Sequence, residues 1–154
     1  MTSEVKPIPD GYHAVTPYLI VRGAAKAIEF YKQAFGATEL GRMTAPDGRI
    51  GHSEIQIGDS RIMLADEFPE MDARGPESMG GTPVLIHLYV EDVDTVAKQA
   101  AAAGAREVRP VQDQFYGDRS GMFADPFGHK WNISTRKENL SAEEIGKRAA
   151  AAGH

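Results

Sequence analysis

Tyr18-Leu19-Ile20-Val21, the amphipathic run behind it and the stop at Phe35-Gly36-Ala37-Thr38-Glu39 decide the fold, because the chain carries this pattern twice. Residues 85–111 repeat the pattern of residues 16–43. There, Ile86-His87-Leu88-Tyr89-Val90 leads into a second amphipathic run that stops at Ala103-Gly104-Ala105-Arg106-Glu107. Residues 127–134 repeat 58–65 at the same spacing of 69. Solenoid repeats recur at periods of about 20–50 residues in three or more copies. Two copies at a longer period read instead as a duplicated half-size module, which predicts a pseudo-symmetric fold with a ligand site between its halves.

Working outward, Ala14–Val21 is rich in β-branched and aromatic residues and predicts a strand. Ala24, Ala27, Ile28, Tyr31, Ala34 and Phe35 recur at helical spacing, and Gly36 supplies the stop. Strands are expected at Thr38–Thr44, Arg49–Ile57 and Arg61–Ala65, parted by turns at Pro46-Asp47-Gly48 and Gly58-Asp59. The second module repeats the order. Val84–Val90 is a strand, and Asp92 caps a helix burying Val93, Val96, Ala97 and Ala100. Arg106–Val111, Arg119–Ala124 and Lys130–Ser134 are strands, the last following the turn Asp125-Pro126-Phe127-Gly128. Each module is βαβββ. The expected organisation is one α+β domain over residues 1–154, with modules at 12–65 and 83–136. Residues 66–82, where Pro, Gly and acid concentrate, are the linker and a mobile cover. Residues 137–154 form a C-terminal helix and tail, opened by the capping box Ser141-Ala142-Glu143-Glu144.

The composition is that of a globular protein, 42% hydrophobic and 25% charged. A net charge of −5 argues against a nucleic-acid backbone or an anionic membrane as partner. No apolar run approaches the ~20 residues that span a bilayer, and the polar start Met1-Thr2-Ser3-Glu4-Val5-Lys6-Pro7 is not a signal peptide. The absence of cysteine removes disulfide and thiolate chemistry and fits a cytoplasmic location.

Strand alternation sorts the side chains into two faces. Leu19, Val21, Ile55, Ile57, Ile62, Leu64, Ile86, Leu88, Val90, Trp131 and Ile133 make an apolar face that packs under the helices. The opposite face carries Thr16, Tyr18, His52, Glu54, Gln56, Arg61 and Met63 from the first module. From the second it carries Leu85, His87, Tyr89, Arg119, Phe123, Lys130 and Asn132. This mixture of apolar, aromatic and polar groups suits a small-molecule pocket. Each polar member also has a purely structural alternative. His52 and Glu54 can pair with Arg61 or Arg119 across strands, His87 can be satisfied beside Tyr89, and Arg119 can bridge to Asp118.

The paired modules, Ile28-Glu29-Phe30-Tyr31 in the first helix and Asp125-Pro126-Phe127-Gly128-His129-Lys130 before the last strand resemble the vicinal oxygen chelate superfamily. Its members include glyoxalase I, bleomycin-resistance proteins, fosfomycin-resistance enzymes and extradiol dioxygenases. The runs Thr16-Pro17-Tyr18-Leu19 and Tyr116-Gly117-Asp118-Arg119 look most like its PhnB-like branch. The resemblance covers residues 12–136 and implies the glyoxalase/bleomycin resistance fold, a curved mixed sheet around a cavity lined by the second face. It also implies a homodimer. In the glyoxalase-like members, four side chains from the first and last strands of both modules hold a divalent metal. Carried over, those positions are Thr16, Met63, Leu85 and Asn132. Thr16 and Leu85 stand 69 apart, as do Met63 and Asn132, so both pairs obey the repeat. Divalent cations favour imidazole nitrogen or carboxylate oxygen, and leucine offers no donor.

The expectation is therefore a glyoxalase-like protein that binds a small organic molecule without the usual metal or any cofactor. Tyr18, His52, Glu54, Arg61, Met63, His87, Tyr89, Arg119 and Asn132 are the ligand-binding set, and Arg61 and Arg119 are suited to a carboxylate or phosphonate. One alternative is a metal-dependent lyase, isomerase or dioxygenase with a displaced triad of His52, Glu54 and His87. The other is a metal-free epimerase or isomerase with His87 or Glu54 as general base. The residues name no catalytic group.

Overall fold

Each half of the chain winds a strand, a helix and three more strands into a four-stranded mixed sheet. The computed structural model describes residues 4–154, which divide between Met79 and Gly80 into two compact units. The first holds β1 (Tyr18–Val21), α1 (Ala24–Phe35), β2 (Thr38–Thr44), β3 (Ile50–Ile57) and β4 (Ser60–Asp66), followed by the short helix α2 (Pro76–Met79). The second holds β5 (Leu85–Tyr89), α3 (Val93–Ala103), β6 (Arg106–Asp113), β7 (Asp118–Ala124), β8 (Lys130–Arg136) and α4 (Ala142–Ala151). The strand orders are β1-β4-β3-β2 and β5-β8-β7-β6. In each, the first and last strands pair parallel and the rest antiparallel. The expected βαβββ order, an α+β architecture, is present twice.

Helical spacing brings Ala24, Ala27, Ile28, Tyr31 and Ala34 to one buried face of α1, joined by Phe30. Gly36 ends the helix in the left-handed region at φ 68°, donating its N–H to Lys32 and Tyr31 carbonyls. Leu19, Val21, Ile55, Ile57, Ile62 and Leu64 are buried in the first sheet. Val93, Ala97, Ala100, Phe123, Trp131 and Ile133 form the corresponding core of the second unit. Burying a Val, Leu, Ile or Phe side chain is worth about 1.5–3 kcal/mol each, so these stripes dominate the stability of each unit.

The last strand of each sheet clamps the start of that unit's helix. Gly23 caps α1 and offers no side chain. Asp66 Oδ1 takes over, accepting the Gly23 and Ala24 amides at 2.9 and 2.7 Å, while Oδ2 accepts the Ile50 amide at 2.7 Å. Thr135, 69 residues on, holds the equivalent place. Its Oγ1 accepts the Val93 amide at 2.9 Å and donates to the Val90 carbonyl at 2.8 Å. Asp92 adds the expected cap to α3, and Ser141 caps α4 through the Glu144 amide.

One expectation changes. The repeat is not uniform: Glu54 pairs with Met63 nine residues away, whereas Met122 pairs with Asn132 ten away. The β7–β8 turn thus carries one extra residue, and a one-residue slip sends every side chain of a strand to the other face. Arg119 and Phe123, expected on the open face, lie on the helix side, in register with Thr135 and Trp131. Phe123 is a core residue, 2% exposed. Residues 66–79 fall in the first unit, where Arg22, just after β1, reaches Glu67 at 3.2 Å and Ser78 at 2.8 Å. A Cβ on Gly75 would stand 2.7 Å from the Ile20 carbonyl oxygen, so the close approach requires glycine.

Asp66 satisfies three amides and Thr135 one, with Asp92 in reserve. Asp66→Ala should therefore cost about 2 kcal/mol and Thr135→Ala about 1 kcal/mol. Denaturant unfolding measures both, and amide exchange should quicken at Gly23, Ala24 and Ile50 in the first variant alone.

Candidate functional site

The sheet face turned away from each helix is where the polar side chains gather. In the first unit Tyr18, Met63, Glu54 and Gly41 stand in one cross-strand row. Tyr18 Oη lies 2.9 Å from His52 Nδ1, and His52 Nε2 lies 3.6 Å from Glu54 Oε2. A tyrosine hydrogen-bonded to a histidine thus stands on this face with a carboxylate close by. Partial burial raises the Tyr18 hydroxyl above its usual pKa, so it is a proton donor at neutral pH. Arg61 shares this face but is occupied: its guanidinium donates to Gln56 Oε1 at 3.3 Å and the Asp10 carbonyl at 3.4 Å, and stacks 4.8 Å from the Tyr12 ring.

The second unit's row is His87, Asn132, Met122 and Arg109, with Tyr89, Ser134, Ser120 and Gln112 in the next. A cleft of about 110 Å³ opens here. Arg109, Gln112, Ser120 and Asn132 line it from the strands, and Gln114 and Tyr116 from the β6–β7 turn. The turn is braced: Gly117 O accepts the Lys137 and Glu138 amides at 2.9 and 3.0 Å, and Arg148 of α4 donates to the Phe115 carbonyl at 3.5 Å. Asn132 Nδ2 and His87 Nδ1 are 3.0 Å apart. With the amide donating, the His87 proton sits on Nε2 and the Asn132 oxygen stays free. His87 also packs on Tyr89, ring centroids 4.6 Å apart. Tyr89 donates to Asp118 at 3.0 Å, and that carboxylate, 3% exposed, also takes Ser134 at 3.3 Å and Arg136 at 3.4 Å.

Of the expected ligand-binding residues, Tyr18, His52, Glu54, Arg61 and Met63 fall on the first open face, and His87, Tyr89 and Asn132 on the second. Arg119 does not. On the helix side it donates to both oxygens of Asp94 on α3, at 2.9 and 3.0 Å, and to Asp113 at 3.2 Å. The anticipated Arg119–Asp118 bridge is replaced by these pairs, and His52 pairs with Tyr18 and Glu54 rather than an arginine. Arg109 and Gln112 were absent from the expected set because β6 breaks register on both sides of Arg109, Ser120 because the extra residue in the β7–β8 turn exchanges the faces of β7, and Gln114 and Tyr116 because they lie in a turn, where alternation does not apply.

Thr16, Met63, Leu85 and Asn132, the positions that the resemblance assigns to metal ligands, offer a donor set that does not fit a divalent cation. Among the described residues, no group of three or more His, Asp or Glu side chains is placed to hold a metal ion. Nor is any helix among them long and apolar enough to cross a membrane.

Two four-stranded βαβββ units, each with an open polar face, define a class. The chain belongs to the Glyoxalase/Bleomycin resistance protein/Dioxygenase superfamily, whose family model matches residues 12–133. An uncharacterized protein of Mycobacterium bovis is 45% identical over 135 residues, covering 86% of this chain and 89% of that one. An Arabidopsis thaliana gene product of known structure superposes with a TM-score of 0.65 at 25% identity, over 80% of this chain and 98% of that one. TioX from Micromonospora sp. ML1 superposes at 0.63 and 25% identity, over 84% and 100%. The fosfomycin resistance protein FosX of Listeria monocytogenes shares the fold at 0.65 and 19% identity, over 86% and 97%.

The Arg119 hydrogen bonds hold the Asp94 carboxyl below its usual pKa of 3.8. A depressed carboxylate stabilises the fold above its unfolded pKa, and that contribution disappears as pH falls through the folded value. In Arg119→Gln the Asp94 pKa should move up toward 3.8 in an NMR titration. The stability gap to the parent should be present at neutral pH and vanish in acid.

Proposed function

We propose that this protein binds a small organic molecule on its open sheet faces without the divalent metal on which glyoxalase-like members of its superfamily rely. The observation that carries the reading is the donor set. Thr16, Met63, Leu85 and Asn132 occupy the four equivalent positions, and the repeat aligns them in pairs, so the loss is not a slip in one strand. The open faces supply what a ligand needs in its place. Tyr18 and Tyr89 are 46% and 55% exposed aromatics, set beside the hydrogen-bonding groups of His52, Glu54, His87 and Asn132. Met63 adds an adaptable apolar contact. Within the superfamily, Thr16-Pro17-Tyr18-Leu19 and Tyr116-Gly117-Asp118-Arg119 favour the PhnB-like branch, and a PhnB protein from Bacillus cereus shares the fold (TM-score 0.63, 16% identity). We take the working form to be a cytoplasmic homodimer.

A second reading, a metal-free enzyme working by proton transfer, is favoured by the grouping of Glu54, His52 and Tyr18. Such an enzyme would lose turnover but keep ligand affinity in His52→Gln.

Elemental analysis of the purified chain tests the main reading. Zinc, nickel, manganese and iron should each be far below one equivalent, and incubation with a chelator should leave the melting temperature unchanged. A stoichiometric metal, or destabilisation by the chelator, would contradict it, since a bound ion stabilises the native state.

A further inference from the structure

The cleft of the second unit contains an arginine with nothing to hold. Arg22, Arg42, Arg49 and Arg74 are all in ion pairs, as are Arg119, Arg136 and Arg148, and Arg61 is covered by Tyr12 and bonded to Gln56. The Arg109 side chain has no ion pair and no hydrogen bond among the described residues, yet it lines the cleft. Its surroundings are positive. The neighbouring row carries Lys130 and Arg106 in register with Ala124, both likewise unpaired. The carboxylate of Asp118, on the same face, is taken up by Tyr89, Ser134 and Arg136. A local cationic surface therefore exists on a chain whose net charge is −5.

The duplication sharpens this. Tyr18 and Met63 in the first unit match His87 and Asn132 in the second at a spacing of 69, and Gly41 and Glu54 match Arg109 and Met122 at 68. At equivalent places the first unit has a carboxylate and no cation, and the second has a guanidinium and no carboxylate. We propose that the cleft is a carboxylate site, in which Arg109 binds the carboxylate of a small organic acid while Asn132, Gln112 and Tyr116 hydrogen-bond to its neighbouring polar groups. The proposal rests on the metal-free reading and names the ligand class for it. A single planar guanidinium matches a carboxylate in forked geometry. The cleft's 110 Å³ is below the ~300 Å³ at which drug-sized pockets begin, so it takes the head of the ligand and leaves the tail outside.

The test is an NMR titration of the full chain with acetate, propionate and benzoate, with acetamide, propionamide and benzamide as neutral isosteres, and with inorganic phosphate. The carboxylates should shift the side-chain amide signals of Asn132 and Gln112 saturably, and the neutral amides should not. Arg109→Gln should weaken binding by about tenfold or more. Arg109→Lys should fall between, keeping the charge but losing the fork, and Arg106→Gln should change affinity less than about threefold. Arg109 is exposed, so unchanged backbone spectra will show the variants folded. Equal binding of the neutral amides, undiminished binding in Arg109→Gln, preference for phosphate, or no shift with any carboxylate at tens of millimolar would each overturn the assignment. Those results leave the metal-free reading intact, while metal in the purified chain would overturn that reading and leave the Arg109 dependence standing.

Discussion

Each sheet has one helix to bury against, and that one-sided burial governs the rest of the structure. Leu19, Val21, Ile55, Ile62 and Leu64 can reach the core only in a single register, because a one-residue slip would exchange them for Tyr18, Glu54, Arg61 and Met63. The open face is the necessary complement of the buried one. Asp66 and Thr135 lock the arrangement by tying the last strand of each sheet to the first turn of its helix.

Within that frame the two copies have diverged where packing does not constrain them. The clamp survives as Asp in one unit and Thr in the other, since either oxygen satisfies a helix N-terminal amide. The cross-strand rows have moved in opposite electrostatic directions, to Tyr18–Met63–Glu54–Gly41 and His87–Asn132–Met122–Arg109. Residues at these places are half-buried or exposed, so packing constrains them less than it does the core.

This also explains what was legible in the sequence. Both helices, their glycine stops and the strand order could be read because the apolar spacing of Ala24–Ala34 and Val93–Ala100 is a direct record of burial. The open-face placement of Tyr18, His52, Glu54, Met63, His87 and Asn132 followed from alternation along regular strands. Arg119 and Phe123 were misplaced because the extra residue in the 125–129 turn has no local signature. Arg109 was missed because β6 is an edge strand broken on either side of it, and a bulge erases the period on which such readings depend. Only the partners reveal that Arg61 and Arg119 are occupied and Arg109 is not.

The superfamily's scaffold persists here, and on the proposed reading its open faces bind a ligand without a divalent metal. The most direct test of that claim is the benzoate dissociation constant of the purified chain, determined once in excess chelator and once in excess manganese. The account predicts the same constant in both. Binding that appears only with the metal, or strengthens severalfold in its presence, would contradict it.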